Sequence, residues 1–402
     1  MSWLTVVGIG EDGLDGIGAN ARAAIGEAEL VFGGTRHLEL AAAAITGEAR
    51  AWRTPFSDSI EDILAARGRR VCVLASGDPF HFGVGATLAK HVDPAQMRVI
   101  PHSSSFSLAA ARLGWALQDV VVLSLHGRPT DLIRPHLHPG ARILALTSDE
   151  REPADIARLL TDSGFGISIV SVLEALGGPR EKLRNQLAMQ FDLTDIDPLN
   201  LCAVSVVALP NARILPLTPG LADGLFEHDG QITKRDIRAV TLAALAPRRG
   251  ELLWDIGAGA GSIAIEWMLA DPSCRATAIE SDPERAARIG RNAQKLGVPQ
   301  LQVVAGTAPE ALAGLEPPHA IFIGGGGSDT GVLDAAIAAL RPGGRLVANA
   351  VTLELEAMLL ARHKELGGRL TRIAVAHADA VGGMTGWRPA MPVTQWSWSK
   401  LP

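Results

Sequence analysis

Apolar positions along this chain follow two rhythms. Short, nearly unbroken apolar runs predict buried strands, and between them apolar residues return every three or four positions, as on one face of a helix. In the first half the strands are expected at Leu4–Ile9, Val71–Ala75, Met97–Ile100, Val120–Ser124, Arg142–Thr147, Ile167–Val172 and Leu201–Leu209. Helices are expected at Ala19–Ala28, Thr35–Ala44, Phe106–Leu113 and Pro153–Ser163. Pro210–Gly220 holds three prolines and a closing glycine, which predicts an extended connection. The alternation then restarts, with strands expected at Leu252–Ile256, Ala276–Glu280, Leu301–Val304, Ala320–Ile323 and Arg345–Val351. The intervening helices are expected at Ser262–Leu269, Pro283–Leu296, Gly331–Leu340 and Leu353–Leu366. Strand–helix alternation of this kind implies α/β domains with a parallel, doubly wound sheet. The division expected is a domain over 1–210, a linker over 211–221 and a second domain over 222–402.

Composition narrows the class. A chain of 402 residues that is 47% hydrophobic can bury a core in each of two or three domains. A formal net charge of −6 argues against nucleic acid as a main partner. Cys72, Cys202 and Cys274 are far apart and form no C-x-x-C pair, so a reducing compartment is expected instead of a disulfide framework. No cleavable leader pattern and no membrane-spanning apolar run are legible, and the expected location is the cytoplasm with no membrane partner. Only six of the 37 basic residues are lysines, and arginine is the better fork for carboxylates. His136-x-His138 lacks a third suitably spaced ligand and is flanked by prolines, so no metal is expected.

The sharpest chemical signal is Trp254-Asp-Ile-Gly257-Ala258-Gly259-Ala260-Gly261-Ser262, where a predicted strand turns into a predicted helix. Glycines there allow a tight turn and close approach to a ligand. Ser262 replaces the last glycine of the dinucleotide pattern G-x-G-x-x-G. Asp255 precedes the loop and can orient it or meet a ligand ammonium group. Glu280 ends the next strand nineteen residues beyond Gly261, placed to accept two ribose hydroxyls. Gly306-Thr307-Ala308 follows the third strand, and Gly324–Gly327 the fourth. In the first half, Gly8-x-Gly10-x-x-Gly13 is a weak dinucleotide match. Ser76-Gly77-Asp78-Pro79 and His102-Ser103-Ser104-Ser105 also follow strands, at the edge where open α/β sheets bind ligands.

Taken together these stretches resemble two families of S-adenosylmethionine (SAM) methyltransferases. Val6–Gly10, Ala75–Phe80 and Ser103–Ser105 resemble the tetrapyrrole methylases (class III), although His81 and Phe82 stand near a position where many relatives carry tyrosine. Gln231–Arg238, Gly257–Gly261, Gly306–Pro309 and Ala348–Leu353 resemble the Rossmann-like (class I) decarboxylating methyltransferases of the cobalamin pathway. The resemblance implies a two-lobed class III domain followed by a class I domain, each holding one SAM, two per chain. The implied SAM contacts are Gly8, Gly10, Ser76, Gly77, Asp78, Ser103 and Ser104 in the first. In the second they are Thr233, Asp255, Gly257, Ala258, Gly259, Ala260, Gly261, Glu280, Gly306, Thr307 and Ala308. The implied substrate is a precorrin tetrapyrrole. It would be methylated at carbon 5 by the first domain and at carbon 15 by the second, with loss of an acetate carboxylate, giving precorrin-8X. His228, Lys234, Arg235 and Arg238 are candidates for its carboxylates, since ionised donors suit them. No catalytic acid or base is identified. Relatives of both families commonly self-associate, which implies a homo-oligomer. The rival readings are a nicotinamide-dependent oxidoreductase, with both glycine loops as dinucleotide sites, and a non-catalytic SAM-sensing module.

Overall fold

A computed structural model describes residues 2–401. The chain forms two units, one running to Thr130 and resuming over His136–Arg213, the other made of Asp131–Pro135 and the chain from Ile214.

The first unit holds two five-stranded sheets. One is wholly parallel, in the order β3 (Glu48–Ala51), β2 (Leu30–Gly33), β4 (Val71–Ser76), β1 (Leu4–Ile9), β5 (Met97–Ile100). The other is mixed, in the order β6 (Val121–Ser124), β7 (Arg142–Leu146), β10 (Asn200–Ser205), β8 (Ile169–Glu174), β9 (Lys182–Leu187). The near-continuous apolar runs β1 and β4 are buried on both faces, as central strands of a covered sheet must be. The expected strand Leu201–Leu209 stops at Ser205. Beyond it the chain turns away, Val206 donating to the Ala141 carbonyl and Leu209 to that of Gly164. The expected strand Ile167–Val172 starts two residues later, because Ser168 N–H closes a turn on Phe165.

The second unit is built on a seven-stranded sheet ordered β13 (Gln302–Ala305), β12 (Arg275–Glu280), β11 (Leu252–Ile256), β14 (Ala320–Ile323), β15 (Arg345–Ala350), β19 (Val393–Ser399), β16 (Arg369–Ile373). The first five strands are parallel and β19 runs against both neighbours, so the expected sheet is parallel only over residues 252–350. Chain order reverses between β11 and β14, the place where doubly wound sheets open a crevice. Helix Pro283–Lys295 shows how locally the pattern is written. Asp282 caps it, Pro283 opens it, and Ala286, Ile289 and Ala293 supply its buried stripe. A hairpin, β17 (Ala376–Val381) and β18 (Met384–Pro389), stands between β16 and β19.

The stretch expected to link the halves is irregular, yet Leu215 and Leu221 are buried in the core of the second unit. Gly220 and Leu221 N–H donate to the two oxygens of buried Glu266 at 2.6 and 2.9 Å. Among the described residues no helix is long and apolar enough to cross a membrane.

Candidate active sites in two units

In the second unit the loop after β11 turns through three left-handed glycines, Gly257, Gly259 and Gly261. A Cβ on Gly257 would collide with the Gly325 backbone, so the loops after β11 and β14 approach as closely as glycine permits. Glu280 closes this corner. One carboxylate oxygen accepts from Gly259 N–H at 2.7 Å and the other from Asp282 N–H at 3.1 Å. Asp255 lies beneath, 1% exposed, with one oxygen accepting from Ala264 N–H at 3.1 Å and the other without a partner. Burial, with the nearby charge of Glu280, pushes its carboxyl up to about 7.

These loops border a cavity of about 970 Å3 at the crevice. Gly257, Ala258, Gly259, Glu280, Gly306, Thr307 and Ala308 line one side, along the ends of β11, β12 and β13. Gly324–Gly326, Asn349, Val351 and Val393 line the other, along β14, β15 and β19, with His377 and Met391. Thr233, Lys234, Arg235 and Asp236 also face it. Asn349 is fixed from below, donating to Thr241 Oγ1 at 2.9 Å and accepting from Gln395 Nε2 at 2.9 Å.

Several expected contacts lie elsewhere. Ala260 and Gly261 do not line the cavity. Ala260 O is occupied by Asn292 at 3.0 Å, and Gly261 packs against Ile289. Asp255 does not line the cavity and instead accepts from Ala264 in the first turn of helix Ser262–Ala270. Arg238 is corrected outright. It is 0% exposed, paired with Glu266 at 2.5 Å and Asp223 at 3.2 Å, bonded to the Leu221 and Thr233 carbonyls, and outside the cavity lining, so a substrate carboxylate does not reach it. His228 is corrected too, since it is turned to the Gly230 amide and lies outside the cavity lining. Of the four basic candidates, only Lys234 and Arg235 face the cavity.

In the first unit the loops after β1, β4 and β5 are laced together. Gly77 N–H donates to Ile9 O at 3.1 Å, and His102 N–H donates to Gly77 O at 3.2 Å. A Cβ on Gly8 would collide with the Gly77 carbonyl, which is why Gly8 packs under the site instead of lining it. Gly10, Ser76, Gly77, Asp78, Ser103 and Ser104 border a cavity of about 390 Å3. The second sheet supplies its other wall through Ser124, Thr147 and Asn200, where Thr147 Oγ1 donates to Asn200 Oδ1 at 2.6 Å. Arg36 and His37 were not singled out by the sequence. Arg36 is paired with Glu11, and His37 Nε2 lies 2.8 Å from Ser76 Oγ. Burial, then the Arg36 charge, lowers His37 to about 4, so it is neutral at physiological pH. His81 stacks on Phe82 with ring centroids 5.3 Å apart and meets Phe106 at a tilt, 4.7 Å away.

Two family models match the chain in this order: Tetrapyrrole (Corrin/Porphyrin) Methylases over residues 3–190, and the Precorrin methyltransferase domain over 224–400. A protein of Sinorhizobium sp named precorrin-6Y C(5,15)-methyltransferase [decarboxylating] is 64% identical over 398 residues, 99% of this chain and 96% of that one. The chain belongs to the decarboxylating precorrin-6Y C(5,15)-methyltransferases. It is a methyltransferase, and SAM is the methyl donor of the family. Two shorter proteins each match part of this chain. A probable cobalt-precorrin-6B C(15)-methyltransferase (decarboxylating) of Pyrobaculum calidifontis is 36% identical over 182 residues, 44% of this chain and 93% of its own. A cobalt-precorrin-7 C(5)-methyltransferase of Salmonella typhimurium is 33% identical over 181 residues, 45% of this chain and 88% of its own. Membership of this family sets the oxidoreductase reading aside.

Proposed function

We propose that each unit of this precorrin methyltransferase binds its own SAM, and that the work is divided between them. The first unit methylates carbon 5. The second methylates carbon 15 and removes the acetate carboxylate. The observation that carries this reading is the pair of cavities, each at the C-terminal edge of its own parallel sheet. Half-length relatives named for one or the other methylation support the same division.

In the second unit Gly257–Gly259 and Glu280 suit the nucleoside end of the donor. Each carboxylate oxygen already accepts one backbone N–H and keeps a lone pair for a ribose hydroxyl. The β14–β15–β19 side of the crevice is then left for the macrocycle, with Lys234 and Arg235 for its carboxylates. In the first unit Gly10, Ser76–Asp78, Ser103 and Ser104 offer small groups and backbone donors, with neutral His37 holding Ser76 in place. The chemistry asks mainly for alignment of a nucleophilic ring carbon with an electrophilic methyl, worth about 7–11 kcal/mol when pre-organised. Equilibrium calorimetry with S-adenosylhomocysteine tests the reading. Two molecules should bind per intact chain, and in Glu280→Ala one of the two sites should weaken about 10- to 150-fold while the other is unchanged. A single site in the intact chain would contradict it.

A further inference from the structure

His377 Nε2 lies 3.2 Å from Asp236 Oδ2, and both side chains line the second unit's cavity. His377 comes from β17 and Asp236 from the first turn of helix Arg235–Leu245, so two separate elements converge on this contact. The same cavity lining includes Asn349, Val351 and Val393, and β17 follows β16, which lies at the sheet edge opposite β13.

The other charged groups lining the cavity have different work or unsuitable chemistry. Asp223 is paired with Arg238 at 3.2 Å, Arg285 with Asp229 at 2.8 Å, and Arg235 donates to Gly220 O at 3.0 Å. Glu280 accepts from two backbone amides. Lys234 and Arg235 have long amine and guanidine side chains that suit substrate carboxylates, and Asp329 is an acidic side chain. Histidine is the side-chain type that both takes and gives a proton near neutral pH, and a carboxylate on one ring nitrogen fixes which nitrogen faces the reaction.

The reaction needs such a group twice. Methyl transfer breaks the S–CH3 bond, forms a C–CH3 bond at the ring carbon and leaves neutral S-adenosylhomocysteine, after which that carbon must shed its hydrogen as a proton. Decarboxylation breaks the CH2–CO2 bond and sends its electron pair into the conjugated ring. The pair returns to the methylene carbon, which must gain a proton to become a methyl group. One proton is released and one consumed, so a single acid–base group closes the balance with no external reagent.

We propose that His377, positioned by Asp236, is that acid–base residue. This rests on the assignment of decarboxylation to the second unit. The experiment uses the full chain with precorrin substrate and SAM, following carbon dioxide release and product mass. His377→Ala and His377→Gln should lower carbon dioxide release at least about 100-fold. S-adenosylhomocysteine affinity should stay within about twofold of the parent. Imidazole added to His377→Ala should restore release, because the His377 side chain is 70% exposed and its place is open to solute. Asp236→Asn should show a smaller loss that imidazole does not repair. Wild-type release from both His377 variants, or loss without imidazole rescue, overturns the proposal. Glu280→Ala separates the two readings. If, with SAM near the parent's Kd, it leaves carbon dioxide release intact, the assignment to the second unit has failed. If under the same conditions it lowers release while the His377 variants turn over normally, only the role of His377 has failed.

Discussion

Glu280 holds the loop geometry of the second unit, and the proposed donor site depends on it. Its carboxylate ties the β11 loop to the end of β12, and the residue lines the cavity. Replacing it with alanine removes charge-assisted hydrogen bonds worth about 1.5–3 kcal/mol. Calorimetry should therefore show S-adenosylhomocysteine affinity at that site reduced about 10- to 150-fold, and an unchanged affinity in a folded variant would contradict the assignment. Asp255 makes a different prediction. Its ordinary value is 3.8 and burial raises it to about 7, so between those values the folded chain holds a proton the unfolded chain has lost. Stability from this group is complete below the lower value and declines as pH rises through the upper one. Asp255→Asn carries no such proton. From pH 5 to pH 8 it should lose less unfolding free energy than the parent, by an amount on the order of a few kcal/mol. Denaturant titrations at the two pH values check this, and parallel curves would contradict it. At this scale the sequence was legible wherever a residue acts through backbone geometry, as with Gly257 and Glu280. It misled where burial decides. Arg238 reads as the charged face of a helix, but its partners Glu266, Asp223 and Leu221 come from other segments.

Among the elements, buried strands announced themselves and exposed ones did not. β11, β14 and β15 are covered on both faces and read as apolar runs. β9 is an edge strand of largely exposed positions, and β17 is exposed throughout, so neither has a period to read. His377 sits on β17, which is why the acid–base pair was invisible until the hairpin was placed against helix Arg235–Leu245. The connecting stretch carries its own prediction. A fragment cut to the expected domain, 222–402, loses buried Leu215 and Leu221 and both amides that satisfy Glu266. A fragment from Ile214 keeps them. Burial of one leucine alone is worth about 1.5–3 kcal/mol. The longer fragment should melt several degrees higher, and equal melting temperatures would show that the stretch contributes nothing to the second unit.

Across the whole molecule, each unit brings its own sheet, glycine-rich loops and cavity. The glycine- and serine-rich loops that border both cavities were legible in short motifs. The opposite walls were legible only in part, at Gly324–Gly327 and Ala348–Leu353, because Asn200 is brought beside Thr147, and Asn349 beside Gln395, only by sheet pairing. The division of labour is tested most directly by the mass of the product made when the first unit is disabled. Gly8→Val forces the β1 and β4 loops apart while leaving the second unit's residues intact. Full-length Gly8→Val protein, given precorrin substrate and SAM, should yield a product one methylene heavier and one carbon dioxide lighter, as mass spectrometry will read. A product that keeps its carboxylate, or that has gained two methyl groups, would contradict the account.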